Sequence, residues 1–250
     1  MGRAGAFWVS MAACVALAAC GSGGSTESSS ASGGGGGASP AAGGDYTTIK
    51  SGTLTVGTNL PFAPLGMFEA DGKTMTGAEI DMMRAVAEKM GLAADIQNTA
   101  WDGLIPAAKA NRYDVVWASI GDFVERRGDV DFVDYMSVRS AVVVRAEDAG
   151  KVKEQMDLCG LRGGATKGAA TVTTLQQFSE ACKQAGKPEI QVNQFPSTAE
   201  GLTALRSKRI DAECMDGPVA VYKSTVDKEV FAMALPSVGP LSMTPPLLRP

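Results

Sequence analysis

Leu54 and Val56 share one face of Gly52-Thr53-Leu54-Thr55-Val56-Gly57-Thr58, with glycines at both ends, and this two-residue period predicts a strand. A turn-rich segment, Asn59-Leu60-Pro61-Phe62-Ala63-Pro64, follows. The period then lengthens. Ile80, Met83, Ala87 and Met90 recur at helical spacing after Gly77 and stop at Gly91, which predicts an amphipathic helix. Asp95-Ile96-Gln97 reads as a short strand, Trp101 to Ala108 as the start of another helix, and Tyr113 to Ala118 as an apolar strand. Ser140 to Arg145 is a further strand. After it come helical patterns over Val172–Gly186 and Ala199–Lys208, and strand signals at Glu189 to Val192 and Ile210 to Met215. Strands alternating with helices predict parallel sheets joined by right-handed crossovers. Here they predict two such α/β units joined by an extended segment, a bilobed molecule with a hinge.

The ends of the chain have different patterns. Arg3 precedes an apolar stretch through Phe7, Trp8, Val9, Met11 and Val15 that is too short to span a bilayer and reads as a secretory signal. Its end, Leu17-Ala18-Ala19-Cys20, resembles the bacterial lipobox and marks Cys20 as the expected site of lipidation, against a plain secretory signal in which the cysteine is incidental. Residues 21–45 are almost all Gly, Ser, Ala, Thr and Pro and read as a tether without a core. At the other end, Pro236, Pro240, Pro245 and Pro246 interrupt any helical period, so 237–250 is expected to be irregular, a truncated return segment.

Composition narrows the chemistry. The net charge of −4 and the lack of a long basic run give no footprint for nucleic acid. The chain has no histidine, so every Ser/His or Cys/His nucleophile arrangement is excluded, along with the commonest metal ligand. No catalytic residue, metal or cofactor is expected.

Between about Ile49 and Pro236 the residues resemble the family 3 extracellular solute-binding proteins. The motifs are Leu54-Thr55-Val56-Gly57-Thr58, Phe62-Ala63-Pro64, Thr76-Gly77 before Glu79-Ile80-Asp81, and Trp101-Asp102-Gly103-Leu104-Ile105-Pro106. Further on come Tyr113-Asp114-Val115, Glu125-Arg126-Arg127 before Val130-Asp131-Phe132, and Arg209-Ile210-Asp211-Ala212 ahead of Asp216. The resemblance implies a periplasmic-binding-protein-like fold, with a first lobe over 46–139 and a second over 140–236. It implies a monomeric amino-acid receptor, anchored to the outer face of the cell membrane through its lipid, that presents its ligand to the permease of an ABC importer. Two other classes remain: a sensing or protein-interaction module, and a periplasmic dehydratase on the same scaffold with Glu79 or Glu213 as its acid-base group.

A zwitterion in a cleft needs a partner for each charge, because either one buried alone costs several kcal/mol. By the resemblance, Arg126 matches the carboxylate-binding arginine and Asp216 the ammonium-binding aspartate of the opposite lobe. Phe62 matches an aromatic that packs on the ligand, and Trp101 sits near the side-chain pocket. The plainer readings are a surface charge for Arg126, a helix cap for Asp216 and a core side chain for Trp101. Two positions depart from the family pattern. Gly121 stands where a hydroxyl precedes the arginine by five residues, leaving Ser119 as the nearest hydroxyl. Gly168-Ala169-Ala170 stands where Gly-Thr-Thr is common, leaving backbone amides at Gly168 and Ala170 to receive a carboxylate. A less polar site, weaker binding and a small or moderately apolar ligand side chain are the expected consequences. Among the remaining cysteines, Cys159 and Cys182 match a disulfide pair of actinobacterial members, which would leave Cys214 free.

Overall fold

The structure is a computed structural model that describes residues 45–244 and 247–248. The leader, Cys20 and the tether up to residue 44 lie outside the described residues. Strand β1 (Thr53–Thr58) is followed by a small hairpin, β2 (Met67–Phe68) and β3 (Met75–Thr76), then α1 (Ala78–Lys89) and β4 (Ala93–Asn98). A 3-10 turn at Trp101–Gly103 leads into α2 (Leu104–Lys109), β5 (Val115–Val116) and β6 (Asp131–Phe132). The second half contains β7 (Met136–Arg145), β8 (Arg162–Thr166), α3 (Ala170–Gln184), β9 (Gln191–Phe195), α4 (Thr198–Arg206), β10 (Ala212–Asp216) and α5 (Gly217–Val226). It ends with β11 (Phe231–Thr244) and β12 (Leu247–Leu248).

These strands form two five-stranded sheets, ordered β4-β1-β5-β12-β6 and β11-β7-β10-β8-β9. In the first, β1 runs parallel to β4 and β5, and every residue of β1 is buried because helices cover both faces. Leu54 and Val56 pack with Ile80, Met83 and Ala87 of α1, three of the four positions picked out by helical spacing. Leu104, Ala107 and Ala108 of α2 pack with Tyr113, Val116 and Ile120 in the other cluster of that sheet. In the second sheet β7 alternates cleanly: Val142 and Val144 join the cluster of α3, and Ala141 and Val143 join that of α4 and α5. The α/β bilobed architecture is therefore the one the sequence predicts.

The C-terminal stretch corrects the sequence reading. Within 237–250 the described residues are not irregular: β11 runs on to Thr244, paired with β7, and β12 adds to the first sheet between β5 and β6. Pro236 and Pro240 are tolerated because β11 is an edge strand, where a missing N–H breaks no ladder on its outer side. The chain thus passes from the first sheet to the second between β6 and β7 and returns between β11 and β12. Cys159 and Cys182 form a disulfide with Cα atoms 5.5 Å apart, and Cys214 is free and buried.

Candidate functional site

Where the two sheets face each other, a cavity of about 110 Å³ is lined from the first lobe by Asn59, Phe62, Trp101, Ser119 and Gly121, and from the second by Ala170, Thr171, Thr198 and Asp216. That volume holds several water-sized bodies and suits a small metabolite better than a single trapped water. Six of the expected site residues, Phe62, Trp101, Ser119, Gly121, Ala170 and Asp216, lie on its wall. Arg126 and Gly168 line a neighbouring cavity that shares Trp101 with it.

Asp216 ends β10, whose preceding residues are buried, and immediately precedes α5. It occupies the N-cap position of that helix, as the plainer reading has it, but its side chain makes no capping hydrogen bond. Burial, together with the negative charge of Glu79, pushes its carboxyl up to about 7. Glu79 is buried on α1 and accepts hydrogen bonds from the Ser119 hydroxyl at 2.6 Å and from Tyr135. Burial raises its pKa, and those two bonds work against the rise. Ser119 is held at φ 50, an unusual conformation for a residue with a side chain, and its proton is committed to Glu79. Toward the cavity its oxygen therefore offers lone pairs, which suit a cation. Asp216 and the Ser119–Glu79 pair make this end of the cavity an acceptor of positive charge.

Groups of the other polarity lie beside it. The Arg126 guanidinium donates to Gly121 O at 2.8 Å and across the cleft to Gly168 O at 2.6 Å, and lies 4.6 Å from the centre of the Phe123 ring. Burial lowers its pKa, while neighbouring Glu125 works in the opposite direction. Two of its five N–H donors are thereby used, which leaves three for an anion. Trp101 crosses the cleft in parallel, donating from Nε1 to Lys167 O at 2.9 Å. Arg126 is thus not the free surface charge of the plainer reading. It and Trp101 grip the loop that precedes α3, whose first turn at Ala170 and Thr171 has no side-chain cap and faces the cavity. Uncapped amides at a helix N-terminus attract an anion.

Phe62 lines the cavity and also packs across the cleft on the α4/α5 cluster of the second lobe. Several polar residues on the wall were missed in the sequence: Asn59, Thr166, Thr171, Ser197, Thr198 and Ser242. The less polar site expected from Gly121, Ala169 and Ala170 is thus offset by hydroxyls from other elements. Neither of the two acid-base candidates lines the cavity: Glu79 is behind Ser119, and Glu213 is in the core of the second lobe.

A family model described as bacterial extracellular solute-binding proteins, family 3, matches residues 54–195, more than half of the chain. The chain belongs to this family. The arginine-binding protein ArgT of Corynebacterium glutamicum is 29% identical over 172 residues, 68% of this chain and 56% of ArgT. The L-cystine-binding protein TcyA of Bacillus subtilis is 32% identical over 111 residues, 44% of this chain and 41% of TcyA. The chain therefore spans about half the length of these curated relatives. Among solved structures, an ancestral arginine-binding protein bound to arginine is 30% identical with a TM-score of 0.67, the match covering 79% of this chain and 84% of that one. The ancestral amino acid-binding protein AncCDT-1, a precursor of cyclohexadienyl dehydratase, is 26% identical with a TM-score of 0.68 over 79% and 82% of the two chains. These matches reach the same two-sheet arrangement as the family resemblance in the sequence.

Proposed function

We propose that this family 3 protein is the extracytoplasmic receptor of an ABC importer and binds a free amino acid between its lobes. The observation that carries this reading is the pairing of acceptor and donor groups at and beside the cavity. Asp216 lines the cavity with Ser119, which is backed by Glu79, and so does the uncapped start of α3, while Arg126 bonds Gly121 on the cavity wall and lines a neighbouring cavity that shares Trp101. A zwitterion satisfies both kinds of group at once, and it favours lobe closure because Arg126 and Asp216 belong to different lobes. In this reading the ligand ammonium rests on Asp216, the carboxylate takes the spare N–H groups of Arg126 and the amides at Ala170 and Thr171, and Phe62 and Trp101 wall the side chain. The names of the relatives support the amino-acid class. Among the described residues the cavity wall carries one carboxylate, Asp216, and with the ammonium on it a guanidinium side chain would lack an acidic partner there. A small, uncharged side chain therefore fits better than arginine.

Anchoring is part of the same proposal: Leu17-Ala18-Ala19-Cys20 and the tether after it support a lipidated receptor held at the outer face of the membrane, within reach of a permease, and the receptor is proposed to act as a monomer. The test is a thermal-shift screen of the twenty amino acids followed by calorimetry on wild type, Arg126→Ala and Asp216→Asn. A true ligand at a hundred times its dissociation constant stabilises by about 2.7 kcal/mol. Loss of Arg126 should cost about 2 to 5 kcal/mol of binding, the range for truncating one partner of a buried charged pair. Equal binding by all three proteins would refute the division of roles.

A further inference from the structure

Two hydrogen-bonded rungs of equal span close the loop that carries Arg126. Arg126 donates to Gly121 O, five residues back, at 2.8 Å. One position on, Arg127 reaches Asp122, again five residues back, with two bonds: Nε to Oδ1 at 2.8 Å and Nη2 to Oδ2 at 2.7 Å. Between the rungs runs a single 3-10 turn, Val124–Arg126, held by Arg126 N to Phe123 O and Arg127 N to Val124 O. The Phe123 ring fills the space inside, with its centre 4.6 Å from the Arg126 guanidinium and an edge atom 3.0 Å from where a Cβ on Gly121 would stand.

The outer rung is anchored at one end. The Asp122 side chain is 7% exposed and that of Arg127 is 61% exposed. An exposed ion pair adds little to stability by itself. A nearly buried carboxylate, however, is costly unless both oxygens are matched, and one planar guanidinium matches both. That bond is also the largest influence on Arg127, raising its pKa above the usual value, with Asp134 a lesser one. Gly121 O belongs to the peptide bond that leads into Asp122, and Arg126 directly precedes Arg127. Opening the fork strands the Asp122 carboxylate, and turning it toward water carries Gly121 O away from the Arg126 N–H.

We infer that Asp122 and Arg127 are positioning residues for ligand binding, their fork locking the turn so that the Arg126 guanidinium is aimed before a ligand arrives. This rests on the amino-acid reading of the site, in which Arg126 takes the ligand carboxylate. Neither residue lines the cavity or its neighbour, so their effect reaches the ligand through Arg126.

The test is a double-mutant cycle against the amino acid that stabilises wild type most. Affinity is read by calorimetry, and by the ligand-induced melting shift at millimolar ligand where binding is weak. Arg127→Ala should weaken binding about tenfold, with little change in the melting temperature of the ligand-free protein. Arg127→Lys, which keeps the charge and loses the fork, should fall on the side of Arg127→Ala rather than of wild type. In an Arg126→Ala background, Arg127→Ala should change affinity by less than about twofold, since no guanidinium is left to aim. A purely structural or long-range electrostatic role would give the same loss in both backgrounds. That result, or wild-type affinity in Arg127→Ala, overturns the inference and leaves the amino-acid reading standing. If no amino acid stabilises wild type, the reading falls and the inference with it.

Discussion

Each lobe buries a carboxylate in its core, and the two are treated in opposite ways. Asp114, at the edge of β5, accepts from Ile49 N at 2.9 Å, Thr55 N at 2.9 Å and Thr55 Oγ1 at 2.5 Å. Glu213, in β10, is 0% exposed, and neither of its oxygens has a hydrogen-bond partner among the described residues. The first acid ties together a sheet whose strands β5, β6 and β12 are only two residues long. The second fills space that Gly164 and Gly201 leave open, in a lobe already held by the long β7/β11 ladder and a disulfide. A short-stranded lobe relies on specific polar bonds, whereas a long-stranded, cross-linked lobe tolerates an unsatisfied one.

The largest effect should therefore come from the satisfied acid. Asp114→Ala leaves two backbone amides and a hydroxyl without their acceptor and should destabilise the protein by about 3 kcal/mol or more. Denaturant unfolding measures the loss, and hydrogen exchange should place it at the amides of β1 and β4 before those of β8 and β10. A loss under about 1 kcal/mol would remove the claim that the first lobe depends on this residue.

How much of this was legible in the sequence depends on whether a residue's role follows a period. Leu54, Val56, Ile80, Met83 and Ala87 announced β1 and α1 because they repeat at the spacing of the face they bury. β8, Arg162-Gly163-Gly164-Ala165-Thr166, announced nothing: its glycines are set by close approach to Leu175 and Glu213, which no local pattern records. β11 was obscured by its prolines, whose tolerance follows from an edge position visible only in the folded sheet. Within the site, the family motifs pointed to Phe62, Trp101, Arg126 and Asp216, and the first two and the last meet at one cavity. The hydroxyls of Thr166, Thr198 and Ser242 come from three separate elements and converge only through tertiary structure.

The disulfide sharpens the contrast from the other side. It joins residues 23 apart, linking the turn before β8 to α3, both in the second lobe. Replacing Cys159 and Cys182 with Ser should cost roughly 3 kcal/mol by the loop-closure argument. The cost should show as faster hydrogen exchange in α3 and β8, with β1 and β4 little changed. Uniform loosening of both sheets would mean that the lobes unfold as one unit and that the cross-link is not local in its effect.

The smallest effect is the most diagnostic, because it reads the unpartnered acid directly. Burial pushes the Glu213 carboxyl well above its usual 4.5, so the folded protein keeps this proton at pH values where the unfolded chain has released it. A group whose pKa is raised on folding contributes stability that is complete below the unfolded value. That stability is then lost as pH climbs from there toward the folded one. Wild-type stability should accordingly fall above pH 4.5 by up to about 1.4 kcal/mol per pH unit from this group. Glu213→Gln keeps the shape and cannot ionise, so it should match wild type near pH 4 and become the more stable protein as pH rises. Asp216, also raised, titrates in both proteins and cancels in their difference. Urea unfolding of the pair at pH 4, 5 and 6 measures the divergence. Parallel curves would show that Glu213 is paired in solution like Asp114, and the distinction between the two lobes would then rest on strand length and the disulfide alone.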